Sequence, residues 1–229
     1  MTTLSGKKVV ITGANGGLGK TVAETARSLG AELVLLDVAF SPEQLQAKEP
    51  GVTRQAVDLG NAAATRACFD GIGRFDAVFN LAGGFTMGPT VYETTDEQWD
   101  FLFDINVGTL NNVIRAALPK LVAQGRGAIV NVGALGALKG GGHMGAYSAA
   151  KSVVMRLTES LSEEVKSKGI NVNAVLPSLI DTPRNRADMP DADFSKWVAP
   201  QDLANVICFL ASDSARAVHG ALIPVAGLM

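Results

Sequence analysis

Tyr147 and Lys151 stand four residues apart at the start of a helical pattern, Tyr147-Ser148-Ala149-Ala150-Lys151. Residues at i and i+4 share one helix face, so the spacing holds a phenol beside an ammonium. The positive charge is expected to favour phenolate and to draw the tyrosine pKa down from about 10. A tyrosine so shifted gives and takes a proton near neutrality. Taken alone, the pair also fits a surface tyrosine beside a solvated lysine. A second constellation tips the balance: Thr12-Gly13-Ala14-Asn15-Gly16-Gly17-Leu18-Gly19. Its glycines let the chain turn tightly and let a pyrophosphate approach a helix N-terminus, where free N–H groups and the dipole favour an anion.

That reading requires a strand before the turn and a helix after it. Residues 8–12, Lys-Val-Val-Ile-Thr, form a short apolar, β-branched run suited to a strand buried on both faces. Leu18, Val22, Ala26 and Leu29 then recur at helical spacing until Gly30. A second strand over 32–36 ends at Asp37, about 20 residues past the turn, where a ribose-binding acid is expected. An acid there, with Val38 after it and no basic residue in the turn before Lys20, predicts NAD(H) rather than NADP(H).

Strand-like and helical runs alternate along the rest of the chain. Strands are expected over 53–57, 76–80, 128–132, 171–176 and 222–225. Helices are expected over 42–48, 61–71, 95–121, 147–166 and 200–211, with Thr95 and Gln98 as a capping box. The pattern predicts an α/β fold, a single Rossmann-type doubly wound parallel sheet of about seven strands spanning 1–229. Residues 178–199 are polar, proline-punctuated and aperiodic, as in a substrate lid.

Composition narrows the classes. A net charge of −2 without a basic cluster argues against nucleic acid. No apolar run is long enough to span a membrane, and no signal-peptide core opens the chain, which predicts a cytoplasmic protein without membrane contact. Cys68, Cys208 and the two histidines show no metal-ligand spacing, so no metal is expected. The helices over 95–121 and 147–166 carry more apolar residues than one stripe needs, among them Trp99, Phe101, Leu102, Phe103, Ile105, Met155 and Leu157. That surplus predicts a homodimer or homotetramer.

In order, Thr12-Gly13-x-x-x-Gly17-x-Gly19, Asp58-Leu59, Asn80-Leu81-Ala82-Gly83, Asn106, Tyr147-x-x-x-Lys151 and Pro177 resemble the short-chain dehydrogenase/reductase family over nearly the whole chain. The resemblance implies an oxidoreductase acting on a small molecule: a carbonyl, an alcohol or an activated ring. It implies Tyr147 as acid/base, Lys151 as ribose ligand that lowers the tyrosine pKa, and Asn106 as holder of a proton-relay water. It places the cofactor against Gly13, Asn15, Gly16, Gly17, Leu18, Gly19, Asp37, Asp58, Leu59, Ala82 and Gly83, with Asn80 structural. Pro177, Ile180 and Thr182 would face the nicotinamide. Relatives pair through two long helices about a two-fold axis.

One family residue is missing. A serine usually stands thirteen positions before the tyrosine; here that place is Ala134, and no serine or threonine lies between Val130 and Tyr147. Loss of one oxyanion donor costs roughly 2.7–4 kcal/mol in other enzymes. The stretch from Leu176-Pro177 through Asp181-Thr182-Pro183, Asn185-Arg186, Met189-Pro190 and Phe194 to Trp197 is similar to the quinonoid dihydropteridine reductases, which also lack that serine. A pteridine-type reductase is therefore one alternative, and a nucleotide-sensing protein that has lost catalysis is another. Phe85, His143, Met144, Met189 and Trp197, with Ala134, are candidates for substrate contact. The alternating charges Arg184, Arg186, Asp188, Asp191 and Asp193 fit either a substrate role or a self-paired surface.

Overall fold

The computed structural model describes residues 2–229. Seven strands form one all-parallel sheet: β1 (Lys8–Thr12), β2 (Glu32–Asp37), β3 (Val52–Ala56), β4 (Ala77–Asn80), β5 (Gly127–Val132), β6 (Ile170–Pro177) and β7 (Leu222–Val225). Their order is β3-β2-β1-β4-β5-β6-β7. The chain starts in the middle, runs outward through β2 and β3, then returns past β1 to β4. The crevice at this reversal, beyond the carboxyl ends of β1 and β4, is where open α/β sheets bind ligands. Register lines up Thr12 with Asn80, and Asn80 with Asn131, across three neighbouring strand ends.

Helices cover both faces. One carries α1 (Gly17–Ser28) and α8 (Pro200–Leu210), whose Val22, Ala26, Leu203 and Ile207 bury against Val9, Ile11 and Phe79. The other carries α3 (Ala62–Ile72), α5 (Thr109–Gln124) and α6 (Gly145–Val165), with Phe69, Val113, Leu121 and Val154 packed on Val10, Val78 and Ile129. Neighbouring strand residues alternate between the two faces, so the central strands read as unbroken apolar runs. A short helix, α2 (Pro42–Gln46), bridges β2 and β3, with Ser41 and Gln44 closing a capping box.

Two expectations need correction. The helix expected over 95–121 is interrupted: α4 (Asp96–Phe103) passes through a π-helical segment, Asp104–Gly108, before α5 begins. The Asn106 amide donates to the Leu102 carbonyl at 3.0 Å and Thr109 Oγ1 to the Ile105 carbonyl at 2.8 Å. Side-chain donors on these carbonyls accompany the widened turn, as often happens at functional sites. The segment 178–199 is also not structureless. It contains α7 (Pro183–Asp188), with Thr182 Oγ1 accepting from the Asn185 N–H and Pro183 in the first turn, and a 3-10 turn, Phe194–Lys196. Six residues are too few for helical periodicity to show, though Thr-Pro is a start signal.

Of the apolar surplus on the long helices, Leu102 and Met155 are buried within the chain. Trp99 stays exposed and stacks on Phe103, with ring centroids 5.2 Å apart. Cys208 is a core residue whose thiol burial pushes up to about 12, while Cys68 is half-buried. Among the described residues, no helix is long and apolar enough to cross a membrane.

Candidate active site

The glycine turn is shaped by lack of space. Gly13 has φ +64°, and a Cβ on it would lie 2.8 Å from the Ala82 nitrogen. A Cβ on Gly19 would lie 2.2 Å from the Gly13 carbonyl oxygen. Gly16 caps α1 without a side chain, so the first-turn N–H groups of α1 keep their free valence. The Thr182 methyl would sit 3.3 Å from a Cβ on Gly17, so the start of the lid reaches the turn. At the end of β2, Asp37 is held from two sides: Oδ2 accepts the Asn15 N–H and Oδ1 the Ala39 N–H, both at 2.9 Å. The Asn15 side chain donates to the Ala39 carbonyl and accepts from Gln44 Nε2, tying the turn to α2. Asp58 is exposed after β3, taking the Gly60 N–H at 2.9 Å, and Leu59 beside it is buried. A turn with no room for a Cβ at Gly13 or Gly19, an uncapped helix end and a fixed carboxylate fit a dinucleotide. The α1 end would take the pyrophosphate and Asp37 the ribose.

One loop links this cradle to the catalytic candidates. The Thr12 hydroxyl accepts the N–H groups of Leu81 and Ala82, each at 3.1 Å. Beneath it, Asn80 Nδ2 donates to Asn131 Oδ1 at 2.8 Å, and Asn131 Nδ2 donates to Thr158 at 2.9 Å. This buried chain locks the ends of β4 and β5 to α6. The next residue, Gly83, is exposed but crowded on one side: a Cβ there would lie 2.8 Å from Asn106 Oδ1 and 3.3 Å from Lys151 Nζ. Asn106, in the widened turn, accepts from the Gly84 N–H at 3.2 Å and donates to its carbonyl at 2.9 Å. Lys151 Nζ donates to the Val132 carbonyl at 2.9 Å.

Tyr147, on the first turn of α6, packs its ring against the edge of Phe85, centroids 4.8 Å apart at 85°. On its other side lies a small apolar cluster of Ala134, Ala137, Met155 and Leu176. The place of the family serine is thus an apolar wall of the tyrosine pocket. Burial pushes the Tyr147 hydroxyl up to about 12 and the Lys151 ammonium down to about 8. The expected lysine-driven lowering of the tyrosine is therefore not present in the protein alone. Both groups are withdrawn from water, and each is driven toward its neutral form.

A cleft of about 430 Å³ opens at Tyr147. His143 and Met144 line it, as do Met87, Gln98 and Phe101. His143 is the one non-glycine residue with positive φ among those described, at 61°, and its carbonyl accepts the Gly88 N–H at 2.9 Å. Of the residues expected at the substrate, Phe85, Ala134, Met189 and Trp197 are not among the cleft-lining residues. Trp197 is buried in the lid, edge-on to Phe194 at 4.8 Å, and its neighbour Val198 joins the core. The lid charges pair among themselves: Arg186 grips Asp181 at 2.5 and 2.7 Å and lies over the Phe194 ring, while Arg184 is near Asp188. Ile180 pairs with Val198 and accepts from the Asn185 amide, and Pro177 ends β6. Sequence reasoning missed Met87 and Gln98 as lining residues and assigned Phe101 only to surface surplus. Nothing in single-sequence spacing signals that the start of α4 faces the start of α6.

The family model for the short chain dehydrogenases matches residues 7–193. The chain belongs to the short-chain dehydrogenase family. Dehydrogenase/reductase SDR family member 6 of Rattus norvegicus is 28% identical over 239 residues, covering 98% of this chain and 97% of that protein. A solved structure from Agrobacterium tumefaciens, assigned as a 2-deoxy-d-gluconate 3-dehydrogenase with bound NADP, superposes with TM-score 0.89 at 32% identity, covering 99% of this chain and 97% of its own. Carveol dehydrogenase from Mycobacterium avium, in complex with NAD, gives TM-score 0.86 at 27% identity, covering 98% of each chain. The seven-stranded sheet is the family's Rossmann fold, and the chain is an oxidoreductase of the NAD(P)-binding kind.

Proposed function

We propose that this protein is an NAD(H)-preferring alcohol/carbonyl oxidoreductase in which Tyr147 is the proton donor and acceptor. The observation that carries the reading is the close approach of Gly13 to Ala82, where no Cβ would fit, with Gly83 next in the loop lying close against Asn106 and Lys151. A nucleotide laid on the turn and extended along this loop ends beside Tyr147. The bound dinucleotide supplies or takes up hydride. Lys151, held by the Val132 carbonyl, keeps its remaining N–H donors for a ribose. Asn106 fixes the loop backbone at Gly84. Tyr147 gives its proton to the oxygen of a carbonyl being reduced, or takes one from an alcohol being oxidised. Its raised pKa keeps it protonated at neutral pH, the form that donates to a carbonyl being reduced. Retention of all three residues supports catalysis over mere nucleotide sensing.

Preference for NAD(H) rests on Asp37, whose fixed carboxylate meets the position of an adenosine ribose and repels a 2′-phosphate. The relatives divide on this point, one binding NADP and another NAD. Titration with both reduced cofactors tests it: NADH should bind more tightly, and equal or tighter binding of NADPH would refute the assignment. The exposed Trp99 and its stacked neighbour Phe103 support pairing with a second copy of the chain. Light scattering at micromolar concentration should show a dimer or tetramer, and a lone monomer would contradict this.

A further inference from the structure

The cleft beside Tyr147 has a chemical character of its own, and it deepens the hydride-transfer reading on which it rests. Its body is apolar: Met87, Pro89, Phe101, Leu102 and Met144 line it, and Phe85 flanks the tyrosine ring. Phe101 and Met87 are 53% and 69% exposed, so two large apolar side chains of the cleft lack cover from the chain itself, with half-exposed Phe85 beside them on the tyrosine ring. Its polar groups are neutral or acidic: Thr86, Thr94, Gln98 and Glu97, beside His143.

No lysine or arginine lines the cleft among the described residues. The two arginines of the nearby lid are engaged elsewhere, Arg186 with Asp181 and Arg184 near Asp188. A carboxylate brought into this space would find among the lining residues no ammonium and no guanidinium fork, the usual partners of such a group. The start of α6 lacks a side-chain cap and offers an anion about half an elementary charge. Glu97, in the first turn of α4, sets a full negative charge against it.

We infer that the substrate is an uncharged, largely apolar ring compound bearing one secondary alcohol or ketone, and that sugar acids and other carboxylates are excluded. The ring would lie against Phe101, Met87 and Met144, with its oxygen at Tyr147. In oxidation the carbinol C–H bond breaks and its electron pair passes as hydride to the oxidised dinucleotide, while the O–H proton passes to the Tyr147 phenolate. The products are the ketone, the reduced dinucleotide and a neutral tyrosine. Reduction is the reverse.

The test compares a series of alkyl-substituted cyclohexanones with keto-hexonates, measured as NADH consumption by the full chain. A parallel arm measures equilibrium binding of both classes to the NADH-bound protein by calorimetry. The expected result is kcat/KM at least about 10²-fold higher for the neutral rings, the scale set by desolvating an unpaired charge. Phe101→Lys, at an exposed position that the fold does not depend on, should narrow that ratio by about 10-fold by supplying the missing cation. Equal or greater activity on keto-hexonates in the unaltered protein would overturn the inference while leaving hydride transfer intact. If neither class turns over although NADH binds, the hydride-transfer reading fails, and the binding arm decides this one. Saturable binding of cyclohexanones alone upholds the neutral apolar site. Binding of keto-hexonates, or of neither class, overturns it.

Discussion

The two ends of the crevice are built differently. On the nucleotide side, position is set by backbone. Gly13 and Gly19 stand where any Cβ would strike main chain, and Asp37 is clamped by two N–H groups. On the substrate side, position is set by side chains borne on loops and helix ends. Phe85 leans on Tyr147, Ala134 walls the pocket, and Phe101 and Met87 stay uncovered. On the proposed reading the first arrangement would recognise the invariant part of a cofactor, and its sterics leave little room for change. The second is free to drift in substrate while the tyrosine chemistry is kept. Relatives assigned to gluconate and to carveol chemistry share the sheet at TM-scores of 0.89 and 0.86, in line with that division.

The comparison breaks first at Gly19. A methyl there would lie 2.2 Å from the Gly13 carbonyl, contact that the main chain must move to relieve. Gly19→Ala should lower stability by about 1–3 kcal/mol, the usual cost of overpacking. It should also abolish measurable NADH binding, because the turn and the α1 end shift together. Denaturant titration and fluorescence titration check the two effects. Near-normal NADH affinity in this variant would show that the cradle is not fixed by backbone.

A smaller effect concerns pH. With the Tyr147 hydroxyl pushed up to about 12, alcohol oxidation needs a phenolate that is scarce at neutrality. Log kcat/KM for oxidation should therefore rise by about one per pH unit from pH 6 to about 8, with no plateau in that range. Carbonyl reduction uses the neutral phenol and should stay flat until about pH 8, where Lys151 loses its charge. An oxidation plateau below pH 8 would instead show that charge near the bound cofactor outweighs burial and lowers the tyrosine.

The smallest effect belongs to Ala134. It is buried beside Met155 and Leu176, so Ala134→Ser would place a hydroxyl against an apolar wall. Turnover of the natural substrate should change by less than about 10-fold. A gain near 10²-fold, the size of one regained oxyanion donor, would mean that the pocket still awaits the family serine.

Most of the geometry of the glycine turn was legible in the sequence, because steric demands on glycine and the end of a β-branched strand leave local signatures. Gly13, Gly17, Gly19 and Asp37 were readable without any partner residue. The seven strands were readable too: burial on both faces makes the central ones apolar runs, and the partly exposed edge strands β3 and β7 complete the alternation with helices. Asn106 was readable as a motif position, but not the π-helical turn around it. That turn reflects a side chain bonding to Leu102 and Gly84, a tertiary choice with no sequence period. The tyrosine pKa was misjudged for a related reason. The i, i+4 spacing reveals the lysine, whereas the desolvation that overrides it comes from Phe85 and the apolar cluster, far away in sequence. The substrate cleft was least legible, since Met87, Phe101 and Met144 meet only through the packing of loops and helix ends.

The central claim is that Tyr147 moves the proton and that the nucleotide is held by other residues. Tyr147→Phe, assayed for both NADH binding and turnover in the same preparation, tests it most directly. Turnover should fall at least about 10²-fold through loss of the acid/base, and the NADH dissociation constant should stay within about two-fold, because the hydroxyl is not part of the cradle. Full activity in this variant would contradict the account, since the proton would then come from elsewhere. Lost NADH binding would contradict it from the other side, making Tyr147 a nucleotide ligand.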